Sequence, residues 1–365
     1  MTAVPITLDD IESLAVGAWI LGTGGGGSPY LGLLNMRRLY AEGHRVELIS
    51  PFDLADDDHV AIVSNMGAPL VGQERLSDSR NIARAVQMQE EFGSWKFRAV
   101  MSLEIGGNNS IQPLMAAAHL GLPVVDADTM GRAYPEAQMT SVAVGDLEPY
   151  PCALYDPRGI EAIVTKVPTW KWMERVSRKI CTEMGSIASS CKAPRTGREV
   201  KEWGIHFTTS KAIGIGRRVR EAQRLHADPI AAVLDEAQGK ILFRGKIVDV
   251  ARRTTEGFLR GTTRVEGLDE DRGANLELAF QNEWVVAWRD GTPIAMSPDL
   301  ICVLDTISGN AFGTETIRYG MRVTVIALPA PAMFLTPKGL ENVGPRAFGY
   351  DLDFRSVFDV PVGPR

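Results

Sequence analysis

Apolar residues first recur at helical spacing at Leu8, Ile11, Leu14, Ala15 and Ala18, which predicts a helix near the start of the chain. Thr7 stands at its N-cap, and Asp10, three residues on, completes an approximate capping box. A run of glycines, Gly22 to Gly27, then interrupts the pattern. Ser28 and Pro29 predict the N-cap and first residue of a second helix, which runs to about Glu42 and stops at Gly43. Short apolar runs follow at 46–49, 60–64, 99–103 and 123–125, with helical stretches at 79–92 and 110–120 between them. Strands that alternate with helices predict an α/β layered domain with a mainly parallel sheet. Residues 140–144 alternate as a further strand, a Pro-rich passage occupies 148–157, and 169–184 and 211–225 predict amphipathic helices.

After Gly239 the texture changes. Short runs at 241–250, 257–264, 276–279, 283–287, 300–304 and 322–327 are broken by Gly, Asp and Pro. Evenly spaced short strands with little helix predict a smaller all-β, barrel-like domain. The expected division is an α/β domain at 1–238 (core 1–165, helical extension 166–238), a β domain at 239–330, and a C-terminal segment at 331–365 that returns to the first domain.

Composition narrows the function. The 365 residues carry a formal net charge of −6, with no stripe of Lys and Arg, so nucleic acid is not an expected partner. No apolar run is long enough to span a bilayer, and the acidic N-terminus does not read as a signal peptide. Four cysteines without a CxxC pair, Cys152, Cys181, Cys191 and Cys302, fit reduced thiols and a cytoplasmic protein. The five histidines form no zinc pattern; a carboxylate-rich metal site stays open. A homo-oligomer is compatible with a β domain that has exposed edges.

The most conspicuous motif is LGTGGGGSP at 21–29. Gly22, Gly24 and Gly27 match the spacing of a dinucleotide loop, but the motif follows a helix rather than a strand, so neither a nicotinamide nor a flavin cofactor is expected. Consecutive glycines let backbone N–H groups approach a ligand, and here they lead into a helix N-terminus, which favours an anion. Gly24, Gly25, Gly26 and Gly27 are therefore candidate substrate-binding positions. The plainer alternative is a tight helix–helix connection that needs positive φ.

A second constellation lies at strand ends. Residues 65–69 (with Asn65 and Gly67), 104–109 and 126–132 each follow an apolar run, and ligands of open parallel sheets bind beyond such ends. Glu104 and Asp126 are the candidate paired carboxylates, one a general base and the other protonated or on a metal. Asn108 and Asn109 are candidates to orient a carbonyl or hold an oxyanion. Asp128 is a further binding candidate, and Glu104, Asp126 and Asp128 form the candidate metal set. Taken singly, each reads more readily as a helix cap; three such loops in one α/β layer turn the balance toward a site. Ser189 and Lys192 match a Ser-x-x-Lys nucleophile pattern, a short match that chance produces often. Cys181 and Cys191 read as core, and His206 as part of a segment that leads into a helix. Neither a GxSxG elbow nor a P-loop is present.

These motifs resemble the S-methyl thiohydantoin desulfurase family, long known as a domain of unknown function associated with hydantoinases and oxoprolinases. The likeness runs through LGTGGGGSP, MGAP at 66–69, EIGGNN at 104–109 and GLPVVDADTMGRAYPE at 121–136. It continues through GFLRGTTRVEG at 257–267, NEW at 282–284 and SPDLICVLD at 297–305, and closes with YGMRVTVIALPAP at 319–331 and VGPRAFGYD at 343–351. It covers nearly the whole chain and is weakest from about 170 to 240. The resemblance implies an α/β domain joined to a smaller β domain. It also implies a hydrolytic reaction in which water replaces the S-methyl group of a five-membered ring and methanethiol leaves.

Within that chemistry Glu104 or Asp126 takes the proton from water, or a divalent metal held by Glu104, Asp126 and Asp128 activates it. Asn108, Asn109 or the glycine loop holds the developing charge, and Arg132 or Arg346 pairs with a carboxylate on the substrate. Two alternatives stand beside it. One is a non-catalytic partner or regulatory subunit of a hydantoinase- or oxoprolinase-type enzyme; the other is a phosphate- or nucleotide-binding protein built on Gly22–Gly27.

Overall fold

The computed structural model of the chain describes residues 3–67, 71, 78–255 and 257–358. Its first part runs β1 (Val4–Pro5), α1 (Leu8–Leu21), α2 (Tyr30–Ala41), β2 (Glu47–Ile49), β3 (His59–Gly67), α3 (Arg80–Gly93), β4 (Phe97–Ser102), α4 (Gln112–Leu120), β5 (Val124–Val125) and β6 (Ala127–Asp128). There follow α5 (Ser141–Val144), β7 (Cys152–Asp156), β8 (Ile160–Val164), α6 (Trp170–Glu183), β9 (Ile187–Cys191), β10 (Arg195–Thr196), α7 (Gly197–Trp203), β11 (Ile205–His206), α8 (Thr208–Arg224) and α9 (Pro229–Ala237). The last part is β12 (Lys240–Thr255), β13 (Phe258–Gly267), β14 (Asn275–Gln281), β15 (Glu283–Arg289), β16 (Thr292–Met296), β17 (Leu300–Asp305), β18 (Arg322–Leu328) and α10 (Pro337–Val343).

Local chemistry sets the first elements. Thr7 and Asp10 form the reciprocal capping box at the start of α1. Pro29, not Ser28, is the N-cap of α2, and the Ser28 hydroxyl accepts from the Tyr30 N–H instead. The glycine run therefore joins two helices, as its position after a capped helix indicates. Residues 140–144 form no strand: the Thr140 side chain accepts from the Ala143 N–H and starts the short helix α5. Thr is as good an N-cap as it is a strand former, and here the cap decides.

The first sheet has nine strands in the order β1-β2-β5-β4-β3-β9-β7-β8, with β10 also on β3. It is mixed rather than mainly parallel: β2–β5, β5–β4 and β4–β3 are parallel, and the other pairings are antiparallel. The difference comes from β9, which returns from the region read as a helical extension and lies antiparallel on the end of β3. The β7–β8 hairpin, hidden behind the prolines of 148–157, then widens the sheet.

The second sheet is antiparallel and seven-stranded, ordered β16-β15-β14-β13-β12-β18-β17. It curls so that β16 and β17, its two edges, pack together, around Phe243, Val265, Leu278, Trp284, Ile301 and Val325. The segment after β18 touches both layers. Phe334 and Val343 pack on Met130, Tyr134 and Met139, while Phe348, Tyr350, Leu352 and Phe354 pack on Val285, Val286 and Met296. Among the described residues no helix is long and apolar enough to cross a membrane.

Candidate active site

A cavity of about 450 Å³ opens where the end of β3, the start of β9, the loop after β4, the glycine run and the start of β15 converge. That is an ordinary size for a small-molecule site. Its position follows from register. Asn65 on β3 lies directly opposite Ser189 on β9, and the Ser189 hydroxyl donates to Asn65 Oδ1 at 3.0 Å. The backbone N–H of Asn65 donates to Asn109 Oδ1 at 2.8 Å, which ties β3 to the short 3₁₀ turn after β4.

Glu104 sits on this wall and is only 6% exposed. Its Oε1 accepts from Asn109 Nδ2 at 2.5 Å and its Oε2 from the Tyr134 backbone N–H at 3.0 Å. Burial pushes its pKa up to about 7; the two hydrogen bonds and the Lys192 charge act against this, and the Asp128 charge adds to it. A carboxyl that ionises near neutrality in a cavity is suited to moving a proton. Lys192, 8% exposed, lines the same cavity and makes no ion pair among the described residues.

Glu283 reaches the cavity from the second sheet. It is buried, its Oε2 has no hydrogen-bond partner, and burial holds its pKa well above the ordinary carboxylate range. Elsewhere on the wall the Arg178 guanidinium is bound to Glu174 and to the Pro135 carbonyl, so its charge is already matched.

The glycine run serves as a seam. A Cβ on Gly25 would overlap the Glu283 carboxyl, one on Gly24 would crowd the Trp284 indole, and one on Gly26 would strike the Gly106 carbonyl. The loop bonds mainly through its carbonyls: Thr23 O accepts from Trp284 N–H, Gly24 O from Thr314 N–H, and Gly26 O and Gly27 O from Asn108 N–H. Of the four candidate glycines, Gly26 and Gly27 reach the cavity, whereas Gly24 and Gly25 are covered by Trp284 and Glu283.

The other candidates separate. Asn65, Gly67, Glu104, Asn108 and Asn109 share the cavity. Asn65 and Gly67 belong to β3 rather than to a loop after it, and residues 68 and 69 of that loop lie outside the described residues. Asp126 caps α8 from a distance, accepting from Ser210 N–H at 3.0 Å and Ser210 Oγ at 2.5 Å, and does not line the cavity. Asp128 is buried behind Glu104 and organises backbone: one oxygen accepts from Ile105, Met130 and Gly131 N–H. Its pKa is likewise pushed up to about 7 by burial.

Arg132 is fully buried and bonds to Thr23 Oγ1 and to the Ala133, Trp284, Pro298 and Asp299 carbonyls, so it clamps the two layers and faces no ligand space. Arg346 is on the surface with Asp351 and Asp353. Among the described residues no group of three or more His, Cys, Asp or Glu side chains is placed to hold a metal. Glu104, Asp126 and Asp128 thus do not form a donor set.

Three cavity residues received little or no weight from sequence. Lys192 and Ser189 formed the Ser-x-x-Lys match, and Glu283 lay inside the NEW motif. A carboxylate at the head of the apolar run 283–287 was the available signal.

This geometry defines an α/β protein with a second, curled β-sheet and a carboxyl-lined cavity between them. Family models described as S-Me-THD-like, N-terminal domain and S-Me-THD-like, C-terminal domain match residues 9–166 and 168–357. The chain belongs to the S-methyl thiohydantoin desulfurase family. It also shares its fold with a crystal structure of a protein from Chromobacterium violaceum, at 23% identity and a TM-score of 0.81 over 98% of this chain and 100% of the other. No curated protein sequence matches it significantly.

Proposed function

We propose that the protein hydrolyses an S-methyl thiohydantoin, with water replacing the methylthio group to give a hydantoin and methanethiol. The observation that carries this reading is Glu104, a carboxyl poised near neutral pH on a cavity wall beside Lys192. Family membership supports the ring chemistry.

Glu104 acts as general base toward a water aimed at the ring carbon that bears sulfur. Asn109 keeps its Oε1 in place, and the Tyr134 N–H its Oε2, so the proton is taken in a fixed geometry. Asn108 and Lys192 meet the negative charge that develops on the ring, a contribution of about 2–4 kcal/mol for a well-placed donor. A cavity of about 450 Å³ leaves room for a small ring substrate, which supports the reading. Incubation with a synthetic S-methyl thiohydantoin, followed with a thiol reagent, tests the reading. Methanethiol release that Glu104→Gln abolishes supports it; a wild-type protein that binds the ring and releases no thiol contradicts it.

A further inference from the structure

Among the described residues Glu283 is the one carboxyl on the cavity wall that comes from the second sheet, and the reaction proposed above leaves it without a role. It follows Asn282, whose φ of 59° turns the chain at the head of β15 and brings the side chain against the glycine run. Its Oε2 is buried without a hydrogen-bond partner, although the residue lines the cavity. Among the described residues no positive group pairs with it: Arg132 affects it from a distance but spends its donors on Thr23 and backbone carbonyls. Two carboxyls also act on it, Glu104 from the loop after β4 and Glu315 from the loop before β18, while Lys192 lines the same cavity and makes no ion pair with it. Such surroundings keep a carboxyl protonated, and a protonated carboxyl is a donor without an acceptor. Gly25 supplies the room, because a side chain there would occupy the space of the carboxyl.

We infer that Glu283 is the general acid of the reaction and donates its proton to the ring nitrogen doubly bonded to the sulfur-bearing carbon. This rests on the desulfurase reading. In the first step water forms the C–O bond, Glu104 takes the water proton, and the C=N π pair moves to nitrogen, which takes the Glu283 proton. In the second step the C=O π bond forms and the C–S bond breaks, with its pair on sulfur. Glu104 returns its proton to the thiolate, and the hydroxyl proton returns to Glu283. Both carboxyls end as they began, and no further reactant is needed. The substrate class is therefore a neutral cyclic isothiourea, whose nitrogen needs a proton before the carbon is attacked readily.

An analogue methylated on that nitrogen carries its positive charge already and needs no acid. With Glu283→Gln, kcat/KM on the neutral substrate is expected to fall on the order of 10²–10⁴-fold, and on the cationic analogue to stay nearly unchanged. An equal loss on both substrates, or no loss on the neutral one, overturns the inference. The wild-type protein supplies a second readout that needs no variant. Its kcat/KM on the neutral substrate should fall at alkaline pH as Glu283 loses its proton, and this limb should be missing with the cationic analogue; the same limb on both overturns the assignment. Turnover of neither substrate by the wild type overturns the desulfurase reading together with this one.

Discussion

The Glu283 carboxyl occupies the space that a side chain on Gly25 would fill. Gly25 has no positive φ, so alanine there is allowed by the backbone, and its nearest conflict is with the Glu283 side chain from Cγ outward rather than with backbone. Gly25→Ala should therefore displace the Glu283 carboxyl at a cost to folding of about 1–3 kcal/mol, while activity falls as far as in Glu283→Gln. Gly26→Ala meets the Gly106 backbone at a φ of 73° and should cost considerably more stability. Thermal melts of the two variants, set beside turnover, separate the effects; equal melting temperatures would count against this view of the seam.

Arg132 is a clamp between the layers. Arg132→Ala leaves the Pro298, Asp299 and Trp284 carbonyls without their donor and opens a void, so unfolding free energy should drop by about 3–5 kcal/mol. Arg346→Ala loses only exposed ion pairs and should stay within about 0.5 kcal/mol of the parent. Urea denaturation checks both, and similar values for the two would refute the clamp.

The raised pKa values have a defined consequence for stability. In the folded chain Glu104 and Asp128 hold their protons up to about 7, whereas ordinary carboxyls release them near pH 4. The folded state binds more protons across that window, so stability should decrease as pH rises from about 4 to about 7. Glu104→Gln should flatten part of this fall in a melting series across pH. A series that rises through the same window would mean that these carboxyls are not held protonated.

Asn109 donates to the charged form of Glu104, which lowers its pKa against the effect of burial. Asn109→Ala should then move the acidic limb of the kcat/KM profile to higher pH. An unmoved limb would separate that limb from Glu104.

How far sequence carried the site depended on how local each signal was. The capping box of Thr7 and Asp10 depends on neighbours in sequence and appears where the pattern put it; the six runs expected after Gly239 are all strands, but β12 runs on to Thr255 and β16 (Thr292–Met296) was not among them. Glu104, Asn108 and Asn109 were legible because the loop after β4 is a strand-end loop whatever its distant partners. The mixed sheet was not legible, because β9 pairs with β3 across more than a hundred residues and its run of Ile, Ala, Ser and Cys is only weakly apolar. The same long-range pairing delivers Ser189 and Lys192. Arg132 and Asp126 were placed at strand ends correctly, yet polarity at a strand end does not distinguish a ligand contact from a clamp or a cap; only their hydrogen bonds do.

The central claim is that water, activated by Glu104, replaces the thiolate on the ring. Turnover of an S-methyl thiohydantoin in oxygen-18 water tests it most directly. The expected result is a hydantoin that carries the heavy isotope in its new carbonyl, free methanethiol in equal amount, and loss of both in Glu104→Gln. Thiol release without incorporated label, or full labelling by the Glu104→Gln variant, would contradict it.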